Sequence, residues 1–380
     1  MPTKEKLVMV EAIATITGTT IGAGFLGIPY VVARSGFAVG LLHLILLAAM
    51  IIFTNLCLSE TMLRTKGIHQ IPGYVKIYLG KSAKIIAIFA VIFGIYAALI
   101  AYFIGEGQVL SYIFTDSTQY SLIFSFLFFV VFAVIVFSGI KALEKSETVV
   151  MFIVIAIMVV IAFVFLPSTK AENLTYVSKN PIDWFFPYGV ILFSFLSFSA
   201  LPEVRQEVIG NEKVLKKAVI VGTLIPLILY TLFTAAILGF AGKATPEIAT
   251  IALGKIPSLL AVFTMFTASI ALGNAIKDMF HFDLKLKKIY AFLLATVLPF
   301  VIHVALTKFN LSSFVEMLDI GGAVSGGLTG ILIVLTLLKA RKTKIKIYSR
   351  KPEFTLRLPN LVYFLLLLIY VLGMIYVFIF

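Results

Sequence analysis

Two stretches of this sequence offer unpaired backbone groups, rather than reactive side chains, as their chemistry. In Gly22-Ala23-Gly24-Phe25-Leu26-Gly27-Ile28-Pro29 three glycines fall within six residues and a proline follows. In Ser194-Phe195-Leu196-Ser197-Phe198-Ser199-Ala200-Leu201-Pro202 three serines precede a proline. Glycine frees φ and lets another group approach the backbone, and proline suits the first turn of a restarting helix, where its missing N–H costs nothing. Each stretch therefore reads as a helix that stops and restarts, with carbonyls free at one half-helix end and N–H groups at the other. Those ends carry about half a unit of charge, negative and positive respectively. A zwitterion fits between them. N–H groups near Ala23 and Gly24 suit an α-carboxylate, and carbonyls around Ile21, Gly22 and Phe195 to Phe198 suit an α-ammonium group. The alternative for the first stretch is that its glycines only allow close helix packing, and the matching break in the second stretch weighs against it.

Ionisable residues at membrane depth form the second set of candidates, because a charge inside a span is costly enough to imply function. Glu106 lies between Gly105 and Gly107 and four residues after Tyr102, hence near the same helical face. Such a group suits a proton carrier or an ammonium partner; a structural hydrogen bond to a neighbouring helix explains it as well. Glu11, Glu203 and Arg205 are gate candidates, since Glu11 precedes the first broken helix and the others follow the second break. Glu207 shares a face with Glu203, and a solvated helix end accounts for both nearly as well. Glu60, Asp278, Glu316 and Asp319, near span ends, carry the same ambiguity. His43 and His303 each stand alone in an apolar span and read as satisfied core residues, as does the single Cys57. The four histidines and one cysteine show no metal-ligand spacing, and no serine sits in a Gly-x-Ser-x-Gly or Ser-x-x-Lys setting, so enzymatic function is not expected.

The elements that must position these residues are membrane helices. With 61% hydrophobic and 13% charged residues among 380 and a mean hydropathy of +1.09, the chain is far more apolar than a soluble domain, which carries about 25% charged residues. Apolar stretches near the roughly 20 residues needed to cross a bilayer run from about 10 to 34, 37 to 63, 85 to 113, 120 to 140, 147 to 166, 187 to 209, 217 to 240, 256 to 276, 288 to 307, 317 to 338 and 359 to 380. That makes eleven spans, with the breaks in the first and sixth. Lys4 and Lys6 before the first stretch resemble a signal peptide's start, but Glu11 interrupts it and no small-x-small cleavage pattern follows, so this span is expected to stay.

The net charge of +13 resolves into topology. Alternating the loops puts 25 of the 31 lysines and arginines on one side; the other 6 are Arg34, Lys170, Lys179, Lys243, Lys255 and Lys308. The positive-inside rule then places the N-terminus in the cytoplasm and the C-terminus, after an odd number of spans, outside a plasma membrane. The basic run Lys339 to Lys351 becomes a cytoplasmic loop beside anionic headgroups; it lacks the interleaved aromatics of a nucleic-acid groove, so no nucleic acid is expected.

Short loops imply one compact membrane domain. Spans one to five (1–166) and six to ten (167–338) form two halves, and 339–380 holds the basic loop and the eleventh span. Five spans per half make the second half enter from the opposite side, so the repeat is inverted, and breaks at matching positions point to a midplane substrate site.

The run Gly18-Thr19-Thr20-Ile21-Gly22-Ala23-Gly24-Phe25-Leu26-Gly27-Ile28-Pro29 resembles the first-helix signature of the amino acid/auxin permease family and its tryptophan/tyrosine permease relatives, in the amino acid–polyamine–organocation superfamily. Leu201-Pro202-Glu203-Val204, the basic segment Lys213 to Lys217, Gly222-Thr223-Leu224-Ile225-Pro226 and Gly105-Glu106-Gly107 are similar as well. The resemblance implies an all-α fold of the leucine-transporter type, a five-plus-five inverted repeat with an eleventh helix. It also implies secondary active transport of amino acids by alternating access, a monomer being sufficient.

The substrate residues so implied are Thr20, Ile21, Gly22, Ala23, Gly24 and Phe25 with Phe195, Phe198, Ser199 and Ala200, joined by Tyr102 and Glu106. Phe195 and Phe198 flank the second break while Gly24 and Ala200 leave room, which favours an aromatic or large neutral amino acid. No cofactor is expected beyond a coupling Na+ or H+. A sodium site in this superfamily uses first-break carbonyls and eighth-helix hydroxyls, here Gly18 and Ile21 with Thr264, Thr267 and Ser269. Two departures matter: Leu201 stands where several members carry His, and the fifth span lacks the lysine of some proton-coupled relatives. Two other classes remain open, a channel, which also uses broken segments, and a transport-dead sensor, whose usual long cytoplasmic tail is not seen before the first span.

Overall fold

The computed structural model describes residues 4–139, 147–342 and 350–379. Lys141, Lys145 and the 343–349 part of the basic run lie outside them. The described chain is helical, joined by turns and a single antiparallel bridge between Gly36 and Val177. Among the described residues nine helices are long and apolar enough to cross a membrane. A tenth span arises when α1 (Lys4–Thr20) and α2 (Ile28–Ser35), bent by 49°, are taken together. The fifth segment in chain order, α7 (Glu147–Phe165), contributes a shorter apolar stretch over Phe152–Ser168.

After α2 come α3 (Phe37–Arg64), the short α4 (Ile71–Leu79), α5 (Lys81–Thr115), α6 (Ser121–Ser138), α7, and α8 (Ala171–Thr175) in the longest connection. The second broken segment is α9 (Tyr188–Phe195) and α10 (Leu201–Glu207), followed by α11 (Leu215–Ala241) and α12 (Lys255–Asp278). The chain ends with α13 (Lys288–Phe292), α14 (Leu298–Lys308), α15 (Phe314–Ile320), α16 (Gly327–Lys342) and α17 (Asn360–Ile379). Both breaks fall where glycine, serine and proline place them: Pro29 and Pro202 each occupy the second position of the restarted half-helix. The segment read as an unbroken tenth span departs from expectation, because a π-helical stretch at Gly321–Gly326 separates α15 from α16. Four of its six residues are glycine or alanine, so backbones crowd there: a Cβ on Gly322 would run into the Gly189 carbonyl of α9.

The outward faces carry bare aromatics and aliphatics such as Phe114, Phe137, Phe163 and Ile256. In water such a continuous apolar surface would drive aggregation; in a bilayer it meets a matching solvent. α5, at 35 residues, is about 52 Å long against a hydrocarbon core of about 30 Å, so it must tilt or project.

Connections sort into two groups by what they touch. At one end Arg34 pairs with Asp183 at 3.0 Å, Lys255 with Asp116 at 2.8 Å, and the Lys170 N–H donates to the Gly239 carbonyl at 3.0 Å. Gly36 turns there at φ 103°, a left-handed conformation free to glycine alone, with the Tyr176 carbonyl too close for any Cβ. At the other end Arg205 and Arg350 share Glu212, and the Arg350 N–H donates to the Arg64 carbonyl at 2.8 Å. Each of these contacts joins connections that the charge pattern assigns to one side.

That second end holds a buried ionic knot. Glu60 of α3 is fully buried and accepts from Arg341 of α16 through both oxygens, at 2.9 and 2.5 Å, from Arg64 at 2.7 Å and from the Leu356 N–H at 2.7 Å. Arg341 also donates to the Tyr363 hydroxyl of α17 at 2.8 Å and to the Leu356 carbonyl at 2.6 Å. Both oxygens of Glu60 and all three guanidinium nitrogens of Arg341 thus find a partner, the condition under which a buried ion pair is tolerated.

Candidate functional site: two helix breaks joined by one tyrosine

α1 ends at Thr20 and α9 at Phe195, leaving late carbonyls without helical donors. Tyr230 of α11 supplies the donor: its hydroxyl lies 2.8 Å from the Thr20 carbonyl and 3.1 Å from the Ser194 carbonyl. One fully buried phenol therefore ties both breaks together. Its ring stacks on Phe25 at 5.9 Å and packs beside Phe195 at 5.3 Å, and Phe25 meets Phe233 edge-on at 5.0 Å. Asn55 of α3 braces the second break, donating to Ser197 Oγ at 3.0 Å, and its own Oδ1 is buried with no hydrogen-bond partner among the described residues. Tyr230 and Asn55 carry no local sequence pattern; the available signal was a hydroxyl or amide within an otherwise apolar span.

The candidate substrate residues separate into two groups. Gly22 is half-buried and open: a Cβ there would meet only the Tyr102 hydroxyl, at 3.9 Å. The same hydroxyl faces the Ala23 backbone N–H, so Tyr102 stands where a ligand carboxylate would compete for that donor. Ser199 is exposed, and Phe198 and Ala200 are buried beside it. Thr20 turns its hydroxyl back to the Ile16 carbonyl at 2.7 Å, and Ile21 is buried above it. Gly24 does not leave room as its size suggested. A Cβ there would lie 2.8 Å from Ser194 Oγ and 2.9 Å from Phe193 Cδ1, because α9 occupies that side. Phe25 and Phe195 are likewise fully buried against α11 rather than facing a void. Gly24→Ala is accordingly expected to lower thermal stability by about 1–3 kcal/mol through overpacking, read from unfolding of the detergent-purified protein; an unchanged melt would show that the contact yields freely.

Glu106 is set apart from the breaks. Its neighbours across a groove of about 530 Å³ are Phe128 and Val131 of α6 and Val262 and Phe266 of α12. Thr264 and Thr267 of α12 donate to carbonyls one turn back, at 2.8 and 2.9 Å, as does Ser269 at 2.8 Å. Their oxygens keep lone pairs, and Gly18 is half-buried on α1. At the basic end Glu11 and Glu203 are exposed, while Arg205 is buried and bound to Glu212 at 3.3 Å. The contact between α1 and α10 is made instead by Thr15, which donates to Glu207 at 2.7 Å. At the opposite end the Asp319 carboxyl group of α15 faces the Gly189 and Val190 N–H groups that open α9. His303 is buried and meets Ser125 at 3.0 Å, and the half-buried His43 meets the Val39 carbonyl of its own helix at 3.0 Å.

A model of the tryptophan/tyrosine permease family matches residues 4–252, which include both breaks and Tyr230. The chain belongs to the tryptophan/tyrosine permease family. The permease is 26% identical over 309 residues to glutamine transporter 2 of Aliivibrio fischeri, covering 75% of this chain and 78% of that one. It is 29% identical over 221 residues to tyrosine-specific transport system 1 of Haemophilus influenzae, covering 57% and 54%. Tyrosine-specific transport system 2 of the same organism is 27% identical over 236 residues, covering 60% and 57%. The permease thus spans little more than half the length of the two tyrosine systems. Family and relatives make it an amino acid transporter and not an enzyme.

Proposed function

We propose that this permease is a secondary active transporter that carries an aromatic or large neutral amino acid across the plasma membrane by alternating access. The observation that carries the reading is the junction at Tyr230, where two interrupted helices present backbone groups to one another inside an apolar bundle. Irregular backbone at membrane depth is tolerated where it is buried in protein or lines a cavity, and a pair of such breaks suits a midplane zwitterion. The α-carboxylate takes the N–H groups at Ala23 and Gly24 by displacing Tyr102, and the α-ammonium group takes carbonyls of Ile21 and of the second break. The names of the relatives support tyrosine and glutamine as first probes. The scaffold is read as eleven helices in a five-plus-five inverted repeat, with the basic end, including Glu11, Glu203 and Arg205, in the cytoplasm. Coupling is to Na+, held by Gly18, Ile21, Thr264, Thr267 and Ser269, or to H+.

Reconstituted uptake tests this directly. Proteoliposomes screened with the twenty amino acids, with sodium and proton gradients imposed separately, are expected to show saturable flux, counterflow and acceleration by one gradient. Indifference to every amino acid would sink the reading, and continuous current without counterflow would make the protein a channel.

A further inference from the structure

Glu106 has both carboxylate oxygens buried and without a hydrogen-bond partner among the described residues. Its flanking glycines explain its position. A Cβ on Gly105 would press on Phe314 and Met265, and one on Gly107 on the Ser121 carbonyl, so α5 is clamped on both sides and the carboxyl group projects into the gap that remains. That gap is a groove of about 530 Å³ open on the outward face, and its other lining residues, among them Phe114, Leu127, Phe128, Val131 and Phe266, are all apolar.

Among the described residues no neighbouring charge answers the carboxyl group. α6 has no titratable residue along its length. On α12, Lys255 is at one end and paired with Asp116, and at the other Lys277 donates to the Val136 carbonyl beside Asp278. On α14, His303 is engaged by Ser125, with Thr307 at 3.3 Å. On α15, Glu316 closes a capping box with Ser313, and Asp319 faces α9. Lys76 of α4 and Lys339, Arg341 and Lys342 of α16 lie in the final turns of their helices, at the basic end. On α5 itself Tyr102 is turned to the first break, and Tyr96 donates to the Leu294 carbonyl at 2.7 Å.

An isolated carboxylate in such a setting is strongly disfavoured. A metal cation needs several oxygen ligands, and Glu106 is the only lining residue that offers any from its side chain. A proton needs one. We propose that Glu106 is the proton-binding residue of the transport cycle, taking a proton from one side of the membrane and releasing it to the other. The proposal rests on the transporter reading and names its coupling ion. The stacked rings of Phe114 and Phe124, 5.7 Å apart and within 2° of parallel, close the end of the gap two helical turns beyond Glu106. Tyr102, about 6 Å back along the same helix, links the state of α5 to the first break.

The test compares wild type with Glu106→Gln and Glu106→Asp in proteoliposomes, using L-tyrosine and L-glutamine as probes. A gradient of about one pH unit sustains about tenfold accumulation in a one-to-one symporter. Glu106→Gln is expected to keep counterflow exchange, lose that accumulation and lose the pH dependence of uptake, with Glu106→Asp restoring part of both. Infrared difference spectra of wild type against Glu106→Gln are expected to show the carbonyl stretch of a protonated carboxyl group without substrate present. Full accumulation by Glu106→Gln, loss of exchange together with accumulation, or an ionised carboxylate spectrum would each overturn the proposal. A protonated band in a wild-type protein that exchanges neither probe leaves the proton site standing and counts against the transporter reading instead.

Discussion

Tyr230→Phe is expected to slow net amino acid transport sharply while leaving a folded, membrane-inserted protein. The variant keeps the ring that packs on Phe25 and Phe195 and removes only the hydroxyl that serves the Thr20 and Ser194 carbonyls. The Thr20 carbonyl keeps the Gly22 N–H at 2.9 Å, so the loss falls on the Ser194 carbonyl, whose missing donor costs about 1–3 kcal/mol, and the two breaks lose their common tie. Because each 1.4 kcal/mol is about tenfold, saturated uptake of the preferred substrate should fall by about fivefold to about a hundredfold, with a modest loss of thermal stability. Initial-rate uptake in proteoliposomes, beside a melt of the same preparation, measures both. Wild-type uptake by Tyr230→Phe would mean that the breaks are held without the hydroxyl.

The largest effect on stability is expected at Glu60. Removing one partner of a buried pair strands the other and costs about 3–5 kcal/mol, so Glu60→Ala and Arg341→Ala should each reduce the yield of monodisperse protein sharply. The pair Glu60→Gln with Arg341→Met should be less damaging than the sum of its single changes, since contacting residues are non-additive. Fluorescence-detected size exclusion and thermal unfolding report this. A Glu60→Ala protein that melts like wild type would refute a structural role for the knot.

The two breaks were legible because glycine and proline act on their own neighbourhood, and the helices restart with Pro29 and Pro202 in their first turns. What closes the candidate site was not. Tyr230 reaches Thr20 across 210 positions and Asn55 reaches Ser197 across 142, distances at which no period in the sequence speaks. Gly24 looked like space because an absent side chain reads alike whether a ligand or a neighbouring helix fills it, and here Ser194 does. Tyr102 and Glu106 were grouped because positions four apart share a face, yet they differ by about 40° around the helix, enough to send one toward the first break and the other toward α6 and α12.

The knot at Glu60 also sets a schedule for synthesis. Its principal partner, Arg341, follows it by 281 residues, and at about 5–20 residues per second the ribosome needs about 14 to 56 s to reach it. Through that interval the nascent second helix carries a carboxylate whose only early partner is Arg64, one turn away. The half-made bundle must therefore keep this edge wet or sheltered until the last two helices arrive, and a chain cut short before Arg341 would leave the carboxylate to Arg64 alone.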